Sequence, residues 1–131
     1  MKARHFYIAM LLLILSCSKP DDNSQAIPAD VLKTAQLQCG SDLAWLQDII
    51  KKADEDKATR KYLGNYRGTI YLTTYNNSPA FMIDMMMGSG GLAYYAYDCS
   101  GARIYPAAVN GVSDFYAKTV AQGWIVYSNI P

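Results

Sequence analysis

The chain has 131 residues, of which 51% are hydrophobic and 18% are charged, and its formal net charge is +1. This length suits one small domain with a modest core. The near-neutral charge excludes the strongly basic classes of nucleic-acid-binding protein, which need a positive surface for the phosphate backbone.

The N-terminus has the three parts of a bacterial secretory signal. Lys2 and Arg4 form a positive segment, residues 6–15 are almost all apolar, and Ser16 precedes Cys17. A helix needs about 20 apolar residues to cross a bilayer, so residues 6–15 are predicted to belong to a signal peptide and not to a transmembrane anchor. Residues 14–17 (ILSC) resemble a lipobox, which predicts cleavage after residue 16 and a lipid on Cys17. The alternative is an ordinary secretory signal in which Cys17 is incidental.

Residues 18–27 are polar and charged, and we expect them to form a disordered tether. Lys19 followed by Asp21 and Asp22 resembles the signal that sends Bacteroidetes lipoproteins to the outer face of the outer membrane. The predicted organisation is therefore a signal peptide (1–16), a lipidated cysteine with its tether (17–27) and a single domain (28–131). The protein would be anchored in the outer membrane by its lipid and face the cell exterior, unless residues 18–27 are only a soluble spacer.

Two cysteines remain if Cys17 carries lipid. In an oxidising compartment, Cys39 and Cys99 are predicted to form a disulfide, which would close a span of 60 residues and contribute about 4 kcal/mol. Two separate buried thiols are the alternative. Loss of Lys2 and Arg4 with the signal would leave ten basic against eleven acidic residues, a net charge of −1.

The first half of the domain is predicted to be helical. A short helix is expected over residues 28–37, and Gly40 then interrupts it. Ser41 is expected to cap the next helix, over residues 42–57, in which apolar residues recur at helical spacing. The acidic run 54–56 is interpreted as a solvent-exposed helix end, with a calcium site as the alternative.

The second half changes to strand-forming patterns. Strands are predicted over residues 66–75, 80–87, 92–98, 103–105 and 124–127, with turns at 76–79 and 88–91, a loop at 106–113 and one or two helical turns at 114–121. Ten of the eleven tyrosines lie after the signal, and a sheet with one solvent-exposed face accounts for most of them. The fold class is therefore α+β, with one or two N-terminal helices packed on a small antiparallel meander or a partly closed, OB-like β-barrel.

Composition also restricts the chemistry. The only histidine, His5, would leave with the signal, which removes His-dependent catalysis and the usual zinc sites. No phosphate-binding glycine loop is present, since residues 88–95 lack the GK[ST] ending. Asp84 and Asp98 are the candidates for a carboxylate acid/base pair. We interpret the protein as a non-enzyme that needs no cofactor or metal.

Two segments stand out as candidate protease-binding loops. The first is a methionine run that ends in glycine, and the second is rich in small apolar residues: Met85, Met86, Met87, Gly88 and Ser89; Ala107, Ala108, Val109 and Asn110. Methionine adapts to irregular pockets, and an extended segment on a rigid scaffold can add a strand to the edge of a protease cleft. The alternative for the methionines is that alternate side chains belong to the core.

The order of these features resembles a family of small Bacteroidetes lipoproteins. The resemblance covers the lipobox, the acidic tether, the helix with Trp45-Leu46, the turn over 97–104, Asp114-Phe115 and the final GWIV at 123–126, while the extra central cysteines of that family are missing. The layout is also similar to the potempins, surface lipoproteins that inhibit secreted proteases through a compact β-barrel-like domain. It implies a surface inhibitor of a secreted protease, of the serine or the metalloprotease class. Against a metalloprotease, Asp84, Asp98 or Asp114 would bind the zinc ion of the target enzyme, or a loop would simply occlude its cleft. A non-inhibitory surface module that assists glycan or envelope complexes is the second hypothesis.

Overall fold

A computed structural model describes residues 29–88, 94–108 and 114–131 of the chain. In chain order the elements are two helices, four strands, a third helix and a last strand: α1 (Ala29–Cys39), α2 (Ala44–Thr59), β1 (Gly68–Tyr75), β2 (Ser78–Met85), β3 (Tyr95–Asp98), β4 (Arg103–Ile104), α3 (Asp114–Gln122) and β5 (Trp124–Ser128). This order confirms the predicted α+β class. The signal peptide, Cys17 and the tether lie outside the described residues.

The start of α2 differs from the prediction. Ser41 was expected as the N-cap, but the residue that precedes the helix is Leu43, which has a left-handed backbone (φ 55°) and makes no side-chain cap hydrogen bond. Asp42 supplies the polar contact instead, because its Oδ1 accepts the Ala44 N–H at 3.2 Å. Leu43 is only 1% exposed, so burial of its side chain in the core compensates for the unfavourable backbone.

The five strands form one antiparallel sheet in the order β4-β3-β2-β1-β5. A two-residue turn joins β1 to β2, and both of its residues, Asn76 and Asn77, have positive φ. Asparagine tolerates this conformation, which matches the twist of the two strands. Pairing therefore starts at Ser78, two residues before the predicted strand, and β2 ends at Met85, two residues before the predicted end.

The sheet is open within the described residues, because β4 and β5 form its two edges and do not pair with each other. The expected meander is thus confirmed, whereas the alternative of a partly closed barrel is wrong for this part of the chain. The register shifts in the β1–β5 pair next to Ile70, where Val126 and Tyr127 are both buried in the core. This bulge lets β5 place two consecutive side chains on the side of the helices.

The core lies between the sheet and the first two helices. Ile70, Leu72, Phe81, Ile83 and Met85 come from alternate positions of β1 and β2 and share one buried cluster, to which the helices add Ala35, Leu43, Leu46 and Ala53. Alternation along a strand places these side chains on one face.

The other face of the sheet is covered as well. Tyr116 of α3 donates a hydrogen bond to Asp84 at 3.2 Å, and Thr119 donates one to Thr73 at 3.1 Å. Met82 is fully buried on this face and Ala96 is 1% exposed. The expectation of one solvent-exposed face is therefore wrong where α3 packs. Among the described tyrosines only Tyr105 is exposed, so most tyrosines serve internal packing.

A disulfide between Cys39 and Cys99 joins the end of α1 to the turn after β3, with an S–S distance of 1.97 Å. The predicted disulfide is thus confirmed. Trp45 packs beside it: its indole N–H donates to the Cys99 carbonyl at 3.2 Å, and its ring lies 5.5 Å from Phe81 and 5.2 Å from Tyr97. The covalent bond and the indole together attach the helical layer to the sheet.

Candidate functional site

Register brings the two candidate protease-binding segments to one end of the sheet. Met85, the last residue of β2, pairs with Gly68, while β3 begins at Tyr95, opposite Ile83. β4 runs antiparallel to β3, so the chain leaves Ile104 toward that same end. Ile104 lies two strands from β2, about 10 Å across the sheet, and three residues short of Met85 along it, so the ends of β2 and β4 are about 14 Å apart. We call residues 86–88 and 105–108 together the β2/β4 end.

The methionine run divides into buried and exposed positions. Met85 is 3% exposed and belongs to the core, whereas Met86 is 56% exposed. Met87 is half-buried against the core, and its N–H donates to the Asn65 carbonyl at 2.8 Å. The run therefore does not project as a whole: burial removes Met85 from any contact surface, and Met86 with Gly88 remains exposed.

The second segment follows the edge strand β4 directly. Tyr105 is 77% exposed, Pro106 is half-buried, and Ala107 and Ala108 are exposed. Ser89, Val109 and Asn110, the other candidates, lie outside the described residues. The described part of this segment is thus a short stretch of exposed chain at an unpaired sheet edge, which is the geometry that strand addition requires.

An arginine–tyrosine cluster connects the two segments, and the sequence analysis did not find it. The Tyr95 hydroxyl donates to the Met86 carbonyl at 3.1 Å. The Arg103 guanidinium lies over the Tyr95 ring at 4.5 Å from its centroid, and at 5.4 Å and 5.3 Å from the rings of Tyr97 and Tyr105. A continuous series of contacts therefore runs from Met86 through Tyr95 and Arg103 to Tyr105.

Arg103 keeps hydrogen-bonding capacity within this cluster. Its Nε is buried and has no hydrogen-bond partner among the described residues, although the Arg103 side chain does hydrogen-bond to Tyr97. Burial raises the pKa of the Tyr97 hydroxyl, and the nearby Arg103 charge opposes that shift. The signal available in the sequence was the alternation of Arg103 and Tyr105, which places both side chains on one face of an edge strand opposite Tyr97.

The carboxylate candidates are not brought together as an acid/base pair. Asp98 pairs with Ala80, four residues from Asp84 along β2, which separates the two by about 13 Å, against about 5–10 Å in glycosidases. Asp98 instead orders its own turn: its Oδ1 accepts from the Ser100 hydroxyl and from the N–H groups of Ser100 and Ala102 at 2.6–3.0 Å. The Ser100 hydrogen bond, with the backbone donors, lowers the pKa of Asp98. Asp114 is exposed at the start of α3.

The acidic end of α2 also differs from its interpretation as a solvent-exposed run. Asp56 is only 1% exposed, and its carboxylate accepts the backbone N–H groups of Tyr62, Gly64 and Tyr66 at 2.9–3.1 Å. Burial by itself would raise the Asp56 pKa, but these donors outweigh it and hold the pKa below its usual value. Periodicity missed this residue because the three donors lie in an irregular segment that no repeat identifies.

A groove lies on the opposite edge of the sheet, beside β5. It measures about 200 Å³ and is lined by one exposed aromatic ring, two amides and two hydroxyls: Trp124, Gln38, Gln122, Thr73 and Thr74, with Leu72 and Lys118. Trp124 is 57% exposed. A flat ring next to amide and hydroxyl groups offers both the stacking surface and the hydrogen bonds that a sugar uses.

Comparison of the chain with protein-family models, with curated proteins and with solved structures found no match. In the part of the chain that the structure describes, no three His, Cys, Asp or Glu side chains are grouped so that they could hold a metal ion. No helix within residues 29–88, 94–108 and 114–131 is long and apolar enough to cross a membrane.

Proposed function

We propose that this protein is a surface-anchored inhibitor of secreted proteases, and that the β2/β4 end occupies the active-site cleft of the enzyme. The series of contacts from Met86 through Tyr95 and Arg103 to Tyr105 is the main support for this proposal. It fixes two exposed segments in one orientation on a sheet that a disulfide joins to its helices. Rigid presentation reduces the entropy lost on binding.

The composition of the β2/β4 end suits a protein partner. Tyrosine, arginine and methionine are enriched where protein interfaces bury their central residues, and tyrosine and arginine often dominate the binding energy. Met86 offers a flexible apolar side chain for a specificity pocket. Within the described residues no strand pairs with the outer side of β4, so this edge and the exposed chain after it offer backbone groups to a strand of the enzyme.

Titration of the full chain, purified in mild detergent, against secreted serine and metalloproteases tests the proposal. We expect inhibition of at least one enzyme at micromolar concentration, and Tyr105→Ala should weaken it about tenfold or more. Leu37→Ala is the matched control, because Leu37 is 75% exposed on α1, away from the β2/β4 end. Absence of inhibition across both classes, or equal inhibition by the Tyr105 and Leu37 variants, would contradict the proposal.

The anchor is a separate part of the proposal. We expect Cys17 to carry the lipid, so labelled palmitate should be incorporated into the wild-type chain and not into Cys17→Ala. Protease added to intact cells should remove the protein if it faces the exterior. Incorporation that is equal in both chains would show that Cys17 is not the site of attachment.

The Trp124 groove favours a second candidate function, that of a surface module for glycans. Its ring and amides provide stacking and hydrogen bonds in one place. In that case neutral oligosaccharides should bind the wild-type chain, and Trp124→Ala should abolish the binding while protease inhibition stays unchanged. Saturable sugar binding without inhibition of any protease would favour this function over the first.

A further inference from the structure

One cleft in the described residues belongs to neither proposed function. It measures about 610 Å³ and lies between the end of α2, the segment that follows it and the end of β5, and its lining includes Lys57, Arg60, Gly64, Arg67 and Asn129. Ligand sites in proteins are commonly of about 300–1,000 Å³, so the cleft has room for a small molecule.

Positive charge predominates around this cleft. Lys57, Arg60 and Arg67 are exposed, and within the described ranges none of them lies within 4 Å of a carboxylate oxygen, although Lys52 and Lys61 both form such pairs. The one acidic side chain in the lining, Asp56, accepts three backbone N–H groups. Those donors satisfy its oxygens, and within the described residues Asp56 forms no ion pair within 4 Å with any of the three cations, although the charge of Arg60 contributes to lowering its pKa.

The dipole of α2 disfavours an anion in this cleft, and its effective charge can be compared with the charges of the side chains. The cleft adjoins the carboxyl end of α2, which carries the equivalent of about half a negative charge. The lining also includes Pro131, the last residue of the sequence, whose carboxylate adds a negative charge. Three full positive charges still exceed the half charge and the two carboxylates together, which amount to about 2.5 negative charges. The net field in the cleft therefore favours an anion.

The backbone that carries the cations is held in place by buried polar contacts. Asn129 is 5% exposed; its Oδ1 accepts the Gly68 N–H at 2.8 Å, and its Nδ2 donates to the carbonyls of Ala53 and Tyr66 at 3.2 and 2.9 Å. Arg60 has φ 58°, and its N–H donates to the Asp56 carbonyl at 2.8 Å. The segment between α2 and β1 is thus fixed at both ends before any ligand arrives.

We infer that this cleft binds a small ligand that bears two or more oxyanion groups, either phosphates or sulfates. Two guanidinium groups can each form paired hydrogen bonds with such oxygens, and the ammonium of Lys57 adds a third charge. A single oxyanion would engage only part of this set. Phosphate and sulfate share the recognition chemistry, so the experiment uses one probe of each kind.

Calorimetric titration of the full chain in mild detergent tests the inference, with pyrophosphate and a disulfated disaccharide as probes and acetate as the singly charged comparison. At least one probe should bind saturably below about 1 mM, with acetate at least about tenfold weaker. The double variant Arg60→Gln/Arg67→Gln should weaken the binding by about tenfold or more. Lys33→Gln/Lys51→Gln is the matched control, because it removes two exposed charges that line neither this cleft nor the Trp124 groove, and it should change the affinity less than about twofold.

The outcomes separate the possible explanations. Equal loss in the two double variants would mean that the chain attracts anions only through its overall charge, and it would overturn the inference. Lack of saturable binding of both probes at about 10 mM would do the same. Circular dichroism of each variant confirms that it is folded. The result does not depend on protease inhibition, because neither arginine belongs to the β2/β4 end.

Discussion

Removal of the Cys39–Cys99 bond is the perturbation whose effect on stability follows most directly from the structure. The bond joins residues 60 apart in the chain, and together with the Trp45 indole it attaches the turn after β3 to the helices. We consider Cys39→Ala/Cys99→Ala, made together so that no new free thiol appears. The reference chain and the double variant both also carry Cys17→Ser, so that Cys17 cannot form an unintended disulfide.

The expected loss follows from the length of the loop. Closing 60 residues reduces the entropy of the unfolded chain by an amount worth about 4 kcal/mol at 25 °C. Small domains have total stabilities of about 5–15 kcal/mol, so this is a large fraction. Each kcal/mol corresponds to about 4–8 °C in a domain of this size, which predicts a melting temperature lower by about 15–30 °C.

Urea unfolding followed by circular dichroism measures the difference. With an m value of about 1–3 kcal/mol per molar urea, the midpoint should fall by about 1.3–4 M. The wild-type chain in a reducing buffer is the matched control, and it should unfold close to the double variant. A loss below about 1 kcal/mol in both would refute the reasoning, because it would mean that the unfolded chain is not restricted by the bond.

Three further predictions concern single residues. Leu46→Ala should lower the free energy of unfolding by about 2–5 kcal/mol, because the side chain is fully buried; a loss below about 1 kcal/mol in urea would contradict its place in the core. Gly68→Ala should destabilise the protein by about 3 kcal/mol or more, since φ is 151° and a Cβ would overlap the Asp84 carbonyl oxygen; a wild-type melting temperature would refute this. Asp56→Asn should be less stable than the wild type at pH 7, and the difference in the free energy of unfolding should narrow below about pH 4. The pKa of Asp56 is lower in the folded chain than in the unfolded chain, so the ionised carboxylate stabilises the fold above the unfolded-state pKa, and this contribution is lost as pH falls through the folded-state pKa. A difference that stays constant down to about pH 3 would contradict the prediction.

Local patterns in the sequence were sufficient to predict which segments are helices and which are strands. The alternation in β1 and β2, and the helical spacing of Leu43, Leu46 and Ala53, are properties of neighbouring residues. Such patterns do not locate the ends of elements. Leu43 ends up in a left-handed conformation before α2 because burial of its side chain compensates for it, and burial is a property of the whole fold.

The candidate site was predicted only in part. Composition singled out the methionine run, but burial divides it, with Met85 in the core and Met86 exposed. The contacts among Tyr95, Arg103 and Tyr105 depend on the pairing of β3 with β4, and that register is a tertiary property. No short sequence motif predicts the register of the β3–β4 pair.

The sequence predicted the α+β class, an antiparallel meander and a Cys39–Cys99 disulfide, because strand periodicity, turn residues and the number of cysteines can be read from the chain itself, and the structure confirms these predictions. The packing of distant segments settled that the sheet is open within the described residues and that α3 covers its second face. It also decided that Asp56 is buried among backbone donors while Lys57, Arg60 and Arg67 surround a cleft. These outcomes depend on which distant residues exclude water from which side chains, and that is decided when the helices and strands pack together.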